Sequence, residues 1–262
     1  MNTSKFIIVS HRGYSSKCPE NTFSSFDLSI QKGCNHIEFD LQLTKDKIPI
    51  VIHDDTVNRT TNGIGNVRDL TYKEISYLNA GLWFKTSEKL FTNEKIPRFD
   101  EMIERYSKKT HMYIELKSSD FMLVEIVAEL LQKRDVLKMS SNDLFEIPNI
   151  TIISFNKELL KYSKKVLPFV RHGFLSFTAD QDNITTANNI GCYAVFPYYL
   201  TINESFVQEC SERALFVGSW GFSNVDQVIE IIPFGVRGVT VDWPLEVDRI
   251  MNKKFDWYHE GS

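Results

Sequence analysis

Several protein classes are excluded by what the sequence lacks. Its 262 residues hold four cysteines, Cys18, Cys34, Cys192 and Cys210. None forms a Cys-x-x-Cys pair or stands at zinc-finger spacing, so free thiols in a reducing compartment are expected. No apolar run approaches the roughly 20 residues of a membrane-spanning helix. The first nine residues contain one lysine and the short apolar run Phe6-Ile7-Ile8-Val9, too little for the core of a secretion signal. A cytoplasmic protein with no integral membrane segment is expected. Basic charge is not in excess: 30 Lys and Arg against 34 Asp and Glu give a net charge of −4. No global field therefore draws the chain to nucleic acid or anionic lipid. Gly/Ser linkers, low-complexity tracts and short repeats are also absent. Self-association into a homo-oligomer stays open.

What the chain does have is alternation. At 42% hydrophobic residues it can bury a sizeable core. Short β-branched runs predict strands at 6–10, 36–43, 48–53, 112–116, 150–154, 169–175, 193–197, 214–218 and 239–242. Amphipathic stretches predict helices at 22–32, 99–108, 119–133, 157–166, 182–189, 203–213 and 225–232. Most strand candidates are apolar throughout, as parallel strands covered on both faces are. Only Thr44-Lys45-Asp46-Lys47 separates the second and third runs, whereas a parallel crossover needs about a dozen residues, so these two form an antiparallel hairpin. Eight parallel βα units remain. That is the count of a (β/α)8 TIM barrel, read here as one α/β domain over residues 1–262 with a small insertion after strand 2, at about 55–98. An open doubly wound sheet is the alternative, but no Gly-rich phosphate loop follows the first strand. In a barrel the insertion would lie over the active-site face. It carries a capping-box pattern, Thr71-Tyr-Lys-Glu74, and the aromatics Trp83, Phe84 and Phe91, which are expected to shape the pocket as an apolar groove.

Ionisable residues gather where strands end. Glu38 and Asp40 are two apart on a strand and share a face, while Ile37, Phe39 and Leu41 take the other. Paired carboxylates on a buried strand suit a divalent cation with oxygen ligands, Mg²⁺ or Ca²⁺. Taken alone, the pair fits an exposed strand facing water equally well. Glu115 and Lys117 end another strand. A simple ion pair explains them, and so does a third carboxylate ligand beside a phosphate-neutralising cation. His11 and His53 follow apolar strands and suit proton transfer near neutral pH. Zinc ligation would instead favour His-x-His, His-Glu-x-x-His or cysteine ligands. His36 and His111 begin strands on the opposite rim and read as structural, His172 reads as core, and His259 lies in the tail. Arg12, next to Gly13, can clamp a phosphate. Asn21 or Thr22 can cap the first helix. Glu20 could orient a histidine or touch a cation's water shell. Trp220, Phe155 and Phe196 come at late strand ends and could form an apolar wall.

In order along the chain these motifs resemble the glycerophosphodiester phosphodiesterases. The resemblance rests on His11-Arg12-Gly13, Pro19-Glu20-Asn21-Thr22, Glu38-Phe39-Asp40, Leu43-Thr44-Lys45-Asp46 leading to His53-Asp54, and Arg59-Thr60-Thr61. It continues in Asp69-Leu70-Thr71 with Trp83-Phe84, Ile96-Pro97, Glu115-Leu116-Lys117, Ser154-Phe155-Asn156 and the closing Gly238–Pro244 segment. It implies a (β/α)8 barrel that hydrolyses glycerophosphodiesters to glycerol 3-phosphate and an alcohol with Mg²⁺ or Ca²⁺. It also implies Glu38, Asp40 and Glu115 as metal ligands, His11 and His53 as the acid–base pair, and Arg12 and Lys117 as phosphate-binding cations. Two departures stand out. Lys47 replaces the usual glycine of the hairpin turn, and Gly218-Ser219-Trp220-Gly221-Phe222 replaces a Trp-Thr-Val-Asn segment. A lysophospholipase D-type enzyme is the nearest alternative, and a non-catalytic glycerophosphodiester-binding barrel is a more distant one.

Overall fold

In the computed structural model, which describes residues 6–87, 89–136, 147–255 and 258, strands and helices alternate along the chain. The order is β1 (Ile7–His11), α1 (Phe23–Gln31), β2 (His36–Leu43), β3 (Pro49–Val51), α2 (Tyr72–Ser76), α3 (Phe99–Tyr106), β4 (His111–Leu116), α4 (Met122–Lys133), β5 (Asn149–Ser154), α5 (Lys157–Val166), β6 (Arg171–Ser176), α6 (Gln181–Ile190), β7 (Ala194–Pro197), α7 (Glu204–Glu212), β8 (Phe216–Ser219), α8 (Val225–Ile231), β9 (Gly238–Val241) and α9 (Pro244–Lys254). The sheet runs β1-β9-β8-β7-β6-β5-β4-β2-β3, and a β1–β2 pairing closes it. Eight parallel strands make the barrel. β3 alone is antiparallel, paired with β2 through Leu41–Val51 and Leu43–Pro49, as the short connection requires. Among the described residues no helix is long and apolar enough to cross a membrane.

Alternation on the strands sorts the side chains into two cores. Ile37, Phe39 and Leu41 of β2 and Met112, Ile114 and Leu116 of β4 point outward and are buried against the helices. Ile7, Val9, Tyr113, Ile153, Leu175, Phe196 and Phe216 point inward and fill the barrel. A third, smaller core belongs to the hairpin and insertion: Ile50 and Ile52 pack with Val57, Val67, Ile75, Ala80 and Ile96. Helix starts are fixed locally. Thr22, Thr71, Asn156, Asp180, Asn203 and Asn224 each accept a backbone N–H from their own helix, which satisfies donors that the helix leaves unpaired.

The departures from sequence expectation have local causes. β6 starts at Arg171 rather than 169 because Phe169 is 90% exposed in the preceding turn. β8 starts at Phe216 because Ala214 adopts φ 57°. The expected helix list omits α9, whose start at Pro244 is sound helix chemistry. Lys47 has φ 63° and so does what the missing glycine would do. The hairpin holds this conformation through Lys47 N to Thr44 O (3.0 Å) and Ile48 N to Thr44 Oγ1 (2.9 Å). His259 lies outside the described residues.

His36 and His111 begin β2 and β4 at the rim away from the strand exits, both buried, with ring centroids 5.2 Å apart. His172 is a core residue: Nδ1 donates to Val170 O at 2.9 Å and Nε2 accepts from Ser163 Oγ at 2.9 Å. The carbonyl can only accept, so Nδ1 carries a proton; burial pushes the pKa down to about 3, which keeps the ring neutral and leaves Nε2 to accept. The unfolded chain binds a proton near pH 6.5 that the folded chain refuses. Stability should therefore be complete above that pH and fall as pH drops from 6.5 toward 3. For His172 this loss is about 2 kcal/mol between pH 7 and 5. Urea unfolding at pH 7 and pH 5 should show this loss in the wild type and a smaller pH difference in His172→Gln; equal differences would contradict it.

Candidate active site

The charged residues meet where strands leave the barrel. His11 is the last residue of β1 and sits opposite Glu38 in the β1–β2 register; Asp40 sits opposite Glu115 in the β2–β4 register. After His11 the chain turns sharply, with φ 56° at Arg12, 82° at Gly13 and 57° at Asn21. A Cβ on Gly13 would collide with Ser25, so the turn requires glycine there. Positive φ at two non-glycine residues is strain stored at the site. It places Arg12 N on Glu38 Oε2 (3.1 Å), Arg12 Nη1 on Glu20 Oε1 (2.8 Å) and Arg12 Nε 3.2 Å from Asp40 Oδ2. Asn21 Nδ2 donates to the same Asp40 oxygen at 2.8 Å. Asn21 thus serves the site, while Thr22 caps the helix.

Both imidazoles are anchored through Nδ1. For His11 the partner is Asp242 Oδ1 at 2.7 Å, which also accepts from Ser15 Oγ at 2.8 Å. For His53 it is Asp54 Oδ1 at 2.8 Å. A carboxylate in its usual charged form only accepts, so Nδ1 carries the proton and Nε2 is left for chemistry. His53 Nε2 lies 3.1 Å from Lys117 Nζ, which also reaches Glu115 Oε1 at 2.9 Å.

Glu38, Asp40 and Glu115 are buried, and their oxygens lie within 4.8 Å of one another. Glu38 Oε1 and Asp40 Oδ1 have no hydrogen-bond partner. Burial and the neighbouring acids hold Glu38 well above the usual carboxylate range and push Glu115 up to about 7. Burial raises Asp40 too, but Arg12, His53, Lys117 and the Asn21 bond together pull it down. Three close carboxylates with orphaned oxygens and all-oxygen donors fit a hard divalent cation, which these residues could hold.

A cavity of ≈ 270 Å³ opens between these groups and an apolar wall. His11, Arg12, Glu38, His53, Glu115, Lys117 and Asp242 form one side. Phe155, Phe196, Trp220 and Phe222 form the other. Trp220 stands edge-on to Phe155 (89°, 5.4 Å between ring centroids), and its Nε1 donates to Phe196 O at 2.9 Å.

Every predicted site residue except Glu20 and Asp40 lines this cavity; Asp40 sits just behind it, wholly buried. Glu20 bonds to Arg12 and Arg59 rather than to a histidine. Trp83, Phe84 and Phe91 pack edge-to-face on one another and are absent from the lining, which corrects the expectation that they shape the pocket. Asp54, Arg59 and Asp242 are the residues missed as participants. Asp54 was signalled by its place after His53. Asp242 had a weaker signal, an acid at the exit of the last strand, because its partner lies 231 residues away.

The barrel, its all-oxygen donor cluster and the anchored imidazoles form a (β/α)8 site equipped for acid–base chemistry beside a divalent cation. The sequence profile of the glycerophosphoryl diester phosphodiesterase family matches residues 11–246, and the chain belongs to that family. It is 33% identical over 250 residues to the glycerophosphodiester phosphodiesterase of Caldanaerobacter subterraneus, covering 95% of this chain and 99% of that protein. It is 31% identical over 255 residues to a glycerophosphodiester phosphodiesterase of Bacillus subtilis, covering 93% of this chain and 86% of that one. In fold it is similar to an Oleispira antarctica phosphodiesterase solved with the product sn-glycerol-3-phosphate: TM-score 0.84, 24% identity, 94% of this chain and 96% of that one.

If the carboxylate trio takes a divalent cation, Mg²⁺ or Ca²⁺ should raise the melting temperature. Saturation at 100 times Kd adds about 2.7 kcal/mol, which is on the order of 5 °C or more at this size. Glu38→Gln should melt near or above the cation-free wild type yet lose the cation-induced rise. A full rise in that variant would count against the trio.

Proposed function

We propose that the chain hydrolyses glycerophosphodiesters to sn-glycerol 3-phosphate and an alcohol in this cavity. We further propose that it does so in the cytoplasm, as one domain over residues 1–262 with an insertion at about 55–98. The observation that carries this is that two imidazoles, each held by a carboxylate at Nδ1, line one cavity around the buried carboxylate trio. A protein that only binds diesters has no need of two such groups, which speaks against the silent barrel.

Arg12 and Lys117 are placed to neutralise the non-bridging phosphate oxygens. Burial lowers the proton affinity of His53, partly opposed by Asp40, and Lys117 lowers it further. A diester that draws Lys117 onto its phosphate would free His53 Nε2 to carry a proton. His53 would then protonate the leaving alkoxide, while His11, backed by Asp242, removes a proton from the nucleophile. The nucleophile is water or the substrate's own 2-hydroxyl, and a transient cyclic phosphate in ¹⁸O-water distinguishes them. Glu38, Asp40 and Glu115 would hold Mg²⁺ or Ca²⁺, which when bound supplies positive charge against the phosphate oxygens.

A lysophospholipase D-type activity has one observation in its favour. Phe155 stacks on Phe177 (4.8 Å between centroids), and Phe177 is 68% exposed, so the apolar wall continues out of the cavity to the surface.

The deciding experiment is a headgroup panel of glycerophosphodiesters with lysophosphatidylcholine beside it, assayed in Mg²⁺, Ca²⁺ and EDTA with glycerol 3-phosphate detection. Turnover of small diesters that stops in EDTA is expected; activity persisting in EDTA would remove the cation from the scheme. His53→Ala should lower kcat about 10²-fold or more with KM little changed. Near wild-type turnover in that variant would sink the assignment.

A further inference from the structure

One side chain of the insertion, Arg59, grips two acids that stand behind the site. Arg59 Nη1 and Nη2 donate to Glu20 Oε2 and Oε1 at 2.7 and 2.8 Å. Its Nε and Nη2 donate to Asp54 Oδ2 and Oδ1, both at 2.8 Å. One guanidinium thus makes two bidentate forks. Each carboxylate also has a second partner. Glu20 Oε1 accepts from Arg12 Nη1, and Asp54 Oδ1 accepts from His53 Nδ1. The bonds run unbroken from Arg12 through Glu20, Arg59 and Asp54 to His53.

The backbone that carries Arg59 is held in place. Val57 is fully buried in the insertion's own core, and Thr60 and Thr61 are buried behind the arginine. Thr61 Oγ1 donates to Val57 O at 2.6 Å and accepts from Gly63 N at 2.9 Å. An arginine side chain that is 44% exposed would ordinarily add little through a surface ion pair. Here both acids it grips are already committed to groups that line the cavity, so its leverage is on position rather than on stability.

The geometry points to Arg59 as a positioning residue for the proposed hydrolysis: it locks Asp54 behind His53 and Glu20 behind Arg12 in a single frame. The insertion acts on the chemistry through this frame and not through its aromatics. Without Arg59, two anions face each other with no shared cation. Asp54 is then free to turn to solvent, and the His53 ring loses its anchor. Lysine cannot substitute, because a point charge on a flexible stem does not span two forks. This inference rests on the function proposed above.

The test uses the whole chain and whichever small glycerophosphodiester the wild type turns over best. R59A should keep KM within a few-fold and lose about 10²-fold in kcat, the scale of a misplaced catalytic group. Guanidinium, well below denaturing concentration, should restore part of that kcat in R59A and none in H53A. R59A and D54N should be non-additive, the double variant being about as slow as the slower single one. A folded R59A with wild-type kcat overturns the proposal, as does a loss that guanidinium leaves untouched and that adds in full to D54N. If R59A does not fold, R59K decides: a folded R59K well below wild-type kcat supports the two-fork role, and wild-type kcat refutes it. A wild type with no turnover of any diester would instead sink the function itself, a distinct outcome.

Discussion

Like charge buried at the mouth of the barrel is the constraint around which the rest is arranged. Glu38, Asp40 and Glu115 bring oxygens within 4.8 Å of one another inside the protein. At an effective dielectric of 20, each such ionised pair repels by about 3.5 kcal/mol or more. Arg12 and Lys117 answer two of the three charges. Burial first, and the neighbouring acids after it, raise the proton affinity of Glu38 and Glu115, while Arg12, 3.2 Å from Asp40, leads the groups that hold that carboxyl below its usual range. These five groups sum to one negative charge when all are ionised. With a divalent cation among them they would sum to one positive charge, the complement of a phosphodiester's single negative charge. The groups that make the cation-free site costly are therefore the ones that would make it selective.

Barrel closure is what brings these charges together. β1 lies between β2 and β9, so His11 has Glu38 on one side and Asp242 on the other. The register is fixed by the outward faces: Ile37, Phe39 and Leu41 on β2, and Met112, Ile114 and Leu116 on β4, all buried against helices. A one-residue slip on β2 would send Glu38 and Asp40 into that outer core and Phe39 into the cavity. The apolar alternation thus orients the site before any of its charges interact. Gln42 continues the inward face, and its Nε2 bonds to His53 O (3.2 Å) and Asp55 Oδ1 (3.1 Å), tying the hairpin's return to β2.

The sequence showed the barrel and most of the charged half of the site because both follow from local rules. Alternation on 36–43 announced the shared face of Glu38 and Asp40. The four residues after Leu43 forced the hairpin that returns His53. What stayed hidden was set by distant packing. Asp242 reaches His11 only because the last strand closes on the first. Arg59 reaches Glu20 only because the insertion folds on a core of its own, which no periodicity in 55–98 betrays. Trp83, Phe84 and Phe91 misled for the converse reason: three aromatics in a segment over a pocket suggest a lining, yet they satisfy one another.

The cavity divides along the chain. Exits of β9, β1, β2 and β4 and the hairpin's return at His53 supply its charged side, and exits of β5 to β8 supply its apolar side. A change in the apolar side leaves the charge balance opposite undisturbed. The unusual segment from Gly218 to Phe222 belongs to that side. Gly221 has φ 92°, and a Cβ there would run into the Tyr198 ring. Tyr198 in turn packs 5.2 Å from Trp220, whose indole N–H is already committed to Phe196 O. The glycine lets the Tyr198 ring pack against Trp220, which is thus held by a ring contact and a hydrogen bond together. The departure from Trp-Thr-Val-Asn is then a packing solution: the tryptophan is kept, and glycine at 221 makes room for the Tyr198 ring that packs against it.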